Sequence, residues 1–294
     1  MKKILKVLGV VIVLVVGWYG ARWAYYVHEY KQYWPVTDIT VDGVEREYHF
    51  FVPSNPPDEP LPLVVFLQGG SAGAFVFPQQ ARFETLAEKE GIILAFPIGK
   101  HLPHNEGAWQ LNTDAQSMQD IDYITAMIDD ISTSQAVDPS KVYAIGYSLG
   151  SMFSYELACQ MSTRFAAIAS FAGTMPVTAK SCEPERNVPI MHIHGVEDGI
   201  IAYNNTWDWK SWDSVGTMRD IPSLVQYWGE KYNCQDKNET ESDTSGHIVY
   251  DQCDQDARFE HHRIEAGTHE WPENINGLST HSVIWSFLGS FSMP

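Results

Sequence analysis

Basic side chains are scarce in this sequence: Lys and Arg number 19 against 37 Asp and Glu, a formal net charge of −18. A nucleic-acid interface needs clustered cations to displace phosphate counterions, so that class of partner is excluded and strongly anionic substrates are disfavoured. Cysteine is sparse too. Cys159, Cys182, Cys234 and Cys253 are the only four, and none stands in a Cys-x-x-Cys spacing, which argues against a zinc ribbon or a dithiol redox centre. No glycine-rich loop runs into Lys-Ser or Lys-Thr, so a phosphate loop is missing. Internal repeats are absent. The most apolar run, Val7 to Ala21, is short for a full membrane crossing.

That run nevertheless sets residues 1–34 apart. Lys2, Lys3 and Lys6 precede it, and Trp18, Tyr19, Arg22 and Trp23 close it. Such a segment reads as a signal peptide or as a single anchor that tethers the chain through residues 4–24. The anchor is favoured, because the best small-residue cleavage site, Val15-Val16-Gly17, is followed by bulky residues. Either reading exports residues 35–294 as one domain, periplasmic or extracellular, whose membrane contact is confined to the N-terminal segment. Four cysteines agree with export. They allow three pairings, and sequence neighbours would close loops of about 20 residues, each contributing roughly 3 kcal/mol by restricting the unfolded chain.

With 44% hydrophobic and 13% aromatic residues over 294 positions, the chain can bury one sizeable core. At its centre runs Lys141-Val-Tyr-Ala-Ile-Gly146-Tyr147-Ser148-Leu149-Gly150-Ser151-Met152. An apolar strand, Gly-x-Ser-x-Gly and a helix in direct succession form the elbow that exposes a serine hydroxyl above a sheet. Its tight turn leaves no room for side chains at 146 and 150. The amide of Leu149 at the helix start can stabilise an oxyanion.

Around this elbow, strands and helices alternate. An Asp42-Gly43 hairpin comes first, then apolar strands at 61–67, 92–97, 165–171 and 188–195, and a late strand at 259–264. Helices are expected at 79–90, 114–132, 221–232 and 279–291. The pattern is α/β with a largely parallel sheet. Gln235 to Gly246 reads as a polar, solvent-exposed excursion. Asp120, Asp122, Asp129 and Asp130 fall mostly on the solvated face of their helix.

A serine needs a base, and the base a carboxylate to orient it. On this scaffold both follow the serine in sequence, on loops after strands. Asp198 and His269 meet that requirement. Glu197 competes for the acid; His261 and His262, of which alternation points one in and one out, compete for the base, and His281 sits inside the last helix. The glycine-rich Gln68-Gly69-Gly70-Ser71 loop is where a second oxyanion donor belongs. His192 and His194 share a strand face but lack a third ligand, so packing or hydrogen bonding of satisfied histidines is favoured there, no metal is expected, and an acyl-enzyme route needs no cofactor. Trp109, Trp271, Trp207, Trp209 and Trp212 are candidates for an acyl-binding or polymer-binding face, although most of them are expected in the core, and Tyr147 stands beside the nucleophile.

Gln68-Gly69-Gly70, Gly146-Tyr-Ser148-Leu-Gly150, His194-Gly195-Val-Glu-Asp198 and Gly267-Thr-His269-Glu-Trp271-Pro272 occur in this order. Together with the cysteine placement they resemble the secreted polyhydroxybutyrate depolymerase and feruloyl esterase group of α/β-hydrolases. The resemblance implies a mostly parallel central sheet with helices on both faces, here preceded by the hydrophobic anchor helix. It further implies ester hydrolysis through an acyl-serine, with Ser148, Asp198 and His269 as triad and the amides of Leu149 and of Gly70 or Ser71 as oxyanion hole. Disulfides 159–182 and 234–253 are also implied. The chain departs from the group at Gln68, usually His, and at Ala266 and Thr268, usually Gly. A small-molecule or polymeric ester is the expected substrate. A peptidase of the prolyl-oligopeptidase type shares the triad order, although nothing resembles its propeller. A non-catalytic binding module would not need nucleophile, acid and base intact.

Overall fold

Asp42 and Gly43, both at positive φ (50° and 78°), turn strand β1 (Val36–Val41) back onto β2 (Val44–Phe51) in a two-residue hairpin. The computed structural model describes residues 17–21, 24, 36–70, 77–102, 107–114, 118–208 and 215–294. The chain continues through β3 (Leu61–Leu67), α1 (Gln80–Glu90), β4 (Ile93–Pro97), α2 (Gln119–Ser134), β5 (Val137–Tyr147), α3 (Leu149–Gln160), β6 (Ala167–Phe171) and β7 (Ile190–Gly195). Short β8 (Trp207–Asp208) and β9 (Thr217–Met218) precede α4 (Ile221–Lys231), β10 (Asp236–Glu241), β11 (Ser245–Asp251), β12 (Phe259–Ile264) and α5 (Thr280–Leu288).

Ten strands join in one sheet, ordered β1-β2-β4-β3-β5-β6-β7-β12-β11-β10. The six from β4 to β12 are parallel, and the outer strands at each edge are antiparallel. Parallel strands are covered on both faces, which is why β4, β6 and β7 are wholly buried and read as continuous apolar runs. One core lies between the sheet and α2, α3 and α4; the other lies against α1 and α5. Helix α4 illustrates the local logic. The Asp220 carboxylate accepts the Ser223 amide at 2.7 Å as N-cap, Pro222 occupies the first turn, and Ile221, Leu224, Val225 and Trp228 form the buried stripe.

Register decides where the loops emerge. Leu67 pairs with Gly146, so the Gly69-Gly70 loop leaves the sheet beside Ser148. Gly195 pairs with Ile264, so the loops carrying Asp198 and His269 also leave side by side. Two disulfides, Cys159–Cys182 and Cys234–Cys253, tie the end of α3 to a following loop and the end of α4 to the end of β11.

Three expectations are corrected. Asp236–Glu241 is solvent-exposed as expected but is no unpaired excursion: it is the edge strand β10, paired with β11, and its polar sequence reflects an edge with no buried side chain. Asp120 is not on a solvated face but fully buried, its Oδ1 2.7 Å from the Arg46 guanidinium. His261 and His262 do point to opposite faces of β12, yet both are buried, because this strand lies inside the sheet. Of the expected anchor, residues 17–21 and 24 are helical and exposed; the others lie outside the described residues. No helix among the described residues is long and apolar enough to cross a membrane.

Candidate active site

Ser148 joins β5 to α3 with φ 54° and ψ −118°, a conformation that non-glycine residues adopt only when their surroundings enforce it. The enforcement is visible. The Ser148 amide donates to Phe171 O at 2.9 Å, and its carbonyl accepts from Met152 N at 3.1 Å. A Cβ on Gly146 would lie 2.3 Å from Gly150 O, and one on Gly150 would lie 2.0 Å from Leu67 O. Both glycines are therefore required by close approach of backbone.

The half-buried His269 imidazole places Nε2 2.8 Å from Ser148 Oγ and Nδ1 2.8 Å from Asp198 Oδ2. The loops that carry acid and imidazole are laced together: Glu197 N donates to Gly267 O at 2.9 Å, and Val196 N to Ile264 O at 2.9 Å. Gly195 makes this possible, since a Cβ there would sit 2.2 Å from Gly267 O. Asp198 is buried, and Oδ1 accepts the amides of Ile200 and Ile201 at 2.8 and 2.9 Å. Burial by itself would raise its pKa. Hydrogen bonds from His194, His269 and those two amides outweigh burial and hold the carboxyl well below the usual carboxylate range.

Behind Asp198 runs a line of buried hydrogen bonds. His194 Nε2 lies 3.0 Å from Ile201 O and 3.3 Å from Asp198 Oδ2. His194 Nδ1 is 3.3 Å from His192 Nε2, and His192 Nδ1 is 2.7 Å from the Tyr155 hydroxyl. One directional assignment satisfies all four groups: Tyr155 O–H donates to His192, His192 to His194, and His194 to Asp198 and Ile201 O. Burial, then the neighbouring histidines, push the His192 pKa well below its ordinary value, so that ring is neutral.

The other candidates separate clearly. Glu197 is exposed and turned away, His281 packs edge-on against Phe83 at 4.4 Å, and His261 Nε2 meets the Tyr203 hydroxyl at 2.9 Å. Leu149 N opens α3, and Gly70 packs on the Leu149 side chain, so the two backbones adjoin. Ser71, Trp209 and Trp212 lie outside the described residues. Trp109 does not line an open face: it is fully buried, stacked on Phe153 at 5.0 Å, with its indole N–H on Gln68 O at 2.9 Å. Trp271 is likewise buried among Phe77, Phe83 and Phe171. Tyr147 is half-buried, and its hydroxyl donates to His269 O at 3.0 Å.

Two supporting residues escaped sequence reasoning. His194 is expected from sequence as a packed or hydrogen-bonded strand histidine, which it is, but its link to the acid is not foreseen, although its place four residues before Asp198 is a usable signal. Glu156, buried on the elbow helix with its pKa pushed up to about 7 by burial, accepts Asn112 N at 2.8 Å. Asn112, at φ 50°, in turn donates to Val215 O at 2.8 Å and Thr178 O at 3.1 Å, and so pins the loop that carries Trp109. No sequence pattern flagged that acid.

The chain matches the esterase PHB depolymerase family over residues 46–218. It is 24% identical over 259 residues to the bifunctional acetylxylan esterase/xylanase of Neocallimastix patriciarum, covering 85% of this chain and 34% of that protein. To feruloyl esterase B of Piromyces equi it is 23% identical over 240 residues, covering 81% of this chain and 43% of the relative. The chain thus spans less than half the length of these two curated relatives. Among solved structures, the acetyl xylan esterase from Aspergillus awamori superposes with a TM-score of 0.65 at 16% identity, covering 87% of this chain and 99% of that one, a likeness of fold. A strained serine between strand and helix, on a mostly parallel sheet, within a match that spans more than half of the sequence, places this chain in the esterase PHB depolymerase family.

Proposed function

We propose that this chain is a carboxylic ester hydrolase working through an acyl-serine, with residues 35–294 as its catalytic domain. As Ser148 Oγ attacks the ester carbonyl, its proton passes to His269 Nε2, 2.8 Å away. Asp198 accepts the Nδ1–H bond at 2.8 Å and stabilises the imidazolium that forms. The amides of Leu149 and Gly70 donate to the developing oxyanion, a term worth about 3 kcal/mol per donor in acyl transfer. His269 then returns its proton to the departing alkoxide, the C–O bond breaks, and water activated by the same imidazole releases the acid. What carries this reading is the Ser148–His269–Asp198 hydrogen-bonded line on an elbow held at positive φ.

The named relatives act on acetyl and feruloyl esters, so such esters on plant polysaccharide head the substrate list, followed by polyhydroxybutyrate-type polyester. Two disulfides support export to an oxidising compartment, and the lysine-led apolar run supports a signal or anchor. A fluorophosphonate probe should label the wild type at Ser148, and Ser148→Ala should lose labelling and about 10⁴-fold or more of its turnover of 4-nitrophenyl acetate. A folded wild type that stays unlabelled, or hydrolyses aminoacyl anilides in preference to esters, sinks this reading. Acetylated xylan, methyl ferulate and polyhydroxybutyrate film, assayed side by side, then rank the substrates.

A further inference from the structure

Strands β11 and β12 hold three metal-ligating side chains that ester hydrolysis does not use. His247 and His262 are direct partners across this antiparallel pair, their rings parallel within 5° and 4.2 Å apart. Glu260 lies two residues before His262 and projects from the same face. Its Oε2 is 3.4 Å from His247 Nε2 and 3.9 Å from His262 Nε2. One ligand atom from each of the three lies within 4.8 Å of the other two, the one such convergence of three among the described residues.

The His262 side chain is only 7% exposed, and neither of its ring nitrogens has a hydrogen-bond partner among the described residues. Buried polar groups in native structures are nearly always hydrogen-bonded, to protein or to something taken up from solution. Burial pushes this imidazole down to about 4, so it is neutral at physiological pH, the form that ligates. Arg258 occupies the other carboxylate oxygen, Oε1, at 3.3 Å, and is itself held by Asp251 at 2.7 Å. Oε2 is left facing the two imidazoles. A tetrahedral ion with bonds near 2.0–2.1 Å sets its ligand atoms about 3.3 Å apart. The 3.4 Å between Glu260 Oε2 and His247 Nε2 already matches that spacing.

We propose that His247, Glu260 and His262 bind a borderline divalent transition metal, Zn²⁺ foremost, on the face of the β11–β12 pair. Two imidazoles and one carboxylate suit such an ion; the hard cations Ca²⁺ and Mg²⁺ take all-oxygen sites, and no thiolate is present to select a softer metal. The site shares no residue with Ser148, Asp198 and His269. Its ligands lie on two strands, so the ion fastens the β10–β11 hairpin to the parallel sheet.

The test uses the untagged full chain, stripped with chelator and titrated with Zn²⁺ by calorimetry and with Co²⁺ by visible absorption. One ion per chain is expected, with thermal unfolding moved upward by Zn²⁺. His247→Ala and Glu260→Gln, which alter partly exposed side chains, should fold by circular dichroism yet bind Zn²⁺ at least ~10-fold more weakly, and Zn²⁺ should no longer shift their unfolding. Ser148→Ala and His269→Ala should bind as the wild type does. Absence of stoichiometric binding overturns the proposal. So does binding unchanged in both His247→Ala and Glu260→Gln, or lost in His269→Ala.

Discussion

Two groups of buried histidines lie on opposite faces of the strands that lead to the active site, and they differ in one respect. His192 and His194 have a partner for every ring nitrogen, from the Tyr155 hydroxyl to the Asp198 carboxylate. His262 has none for either nitrogen among the described residues. The first group is finished by the fold itself and acts as a brace for the catalytic acid. The second is finished only when something outside the chain arrives. Burial alone does not separate them; the count of unmade hydrogen bonds does.

That contrast can be broken most forcefully at His194. His194→Phe removes the side-chain donor behind Asp198, and we expect a roughly 10- to 100-fold fall in kcat for 4-nitrophenyl acetate with KM little changed, since misplacing a catalytic group by an ångström costs that much. His194→Gln, which keeps a donor, should recover part of the loss. Equal damage from Phe and Gln would reduce His194 to a packing residue.

Replacing one histidine from each group by leucine sharpens the comparison. In chelator-treated protein, His192→Leu strands Tyr155 and His194 and should cost about 1–3 kcal/mol in urea unfolding. His262→Leu removes two unpaired polar atoms and should be near neutral or stabilising. If His262→Leu proves as costly as His192→Leu, the difference drawn between the groups is false.

The smallest effect is on pH dependence. Burial holds His192 and His262 neutral in the native state, with pKa values below the ordinary 6.5. The unfolded chain therefore takes up their protons first on acidification. Stability should be level above about pH 6.5 and decline below it, by at most about 1.4 kcal/mol per pH unit for each such ring. For His262 the decline ends near pH 4, where the native ring also protonates. Asp198, whose pKa is depressed, adds to the loss only below the ordinary carboxylate range. Urea midpoints between pH 8 and 5 measure the slope, and metal-free His262→Leu should show a shallower one.

Much of the scaffold was legible because its signals are local. Asp42-Gly43 specifies its own hairpin, and the apolar runs at 61–67 and 190–195 can only be strands covered on both faces. Whether Trp109 lines a substrate face or the core stays open from sequence, which shows a tryptophan in a loop but not the Gln68 carbonyl and Phe153 ring that cover it. Asp120 was misplaced for a similar reason: its helix face is amphipathic by spacing, and the distant Arg46, 74 residues away, together with the Gln110 amide makes a buried carboxylate tolerable. The β10–β11 hairpin was missed because an edge strand has no alternation to display.

By itself the sequence determined the elbow around Ser148, since two glycines flanking a serine between a strand and a helix leave the backbone a single way to turn. It also set which strands are buried on both faces, through their continuous apolar composition. Tertiary structure alone decided that Tyr155, His192 and His194 line up behind Asp198 and that His247 meets Glu260 and His262, because the first depends on how helix α3 packs against β7 and the second on the register between β11 and β12. Register is fixed by the packing of the whole sheet, and sliding β11 by a single residue would send His247 to the other face, away from Glu260 and His262.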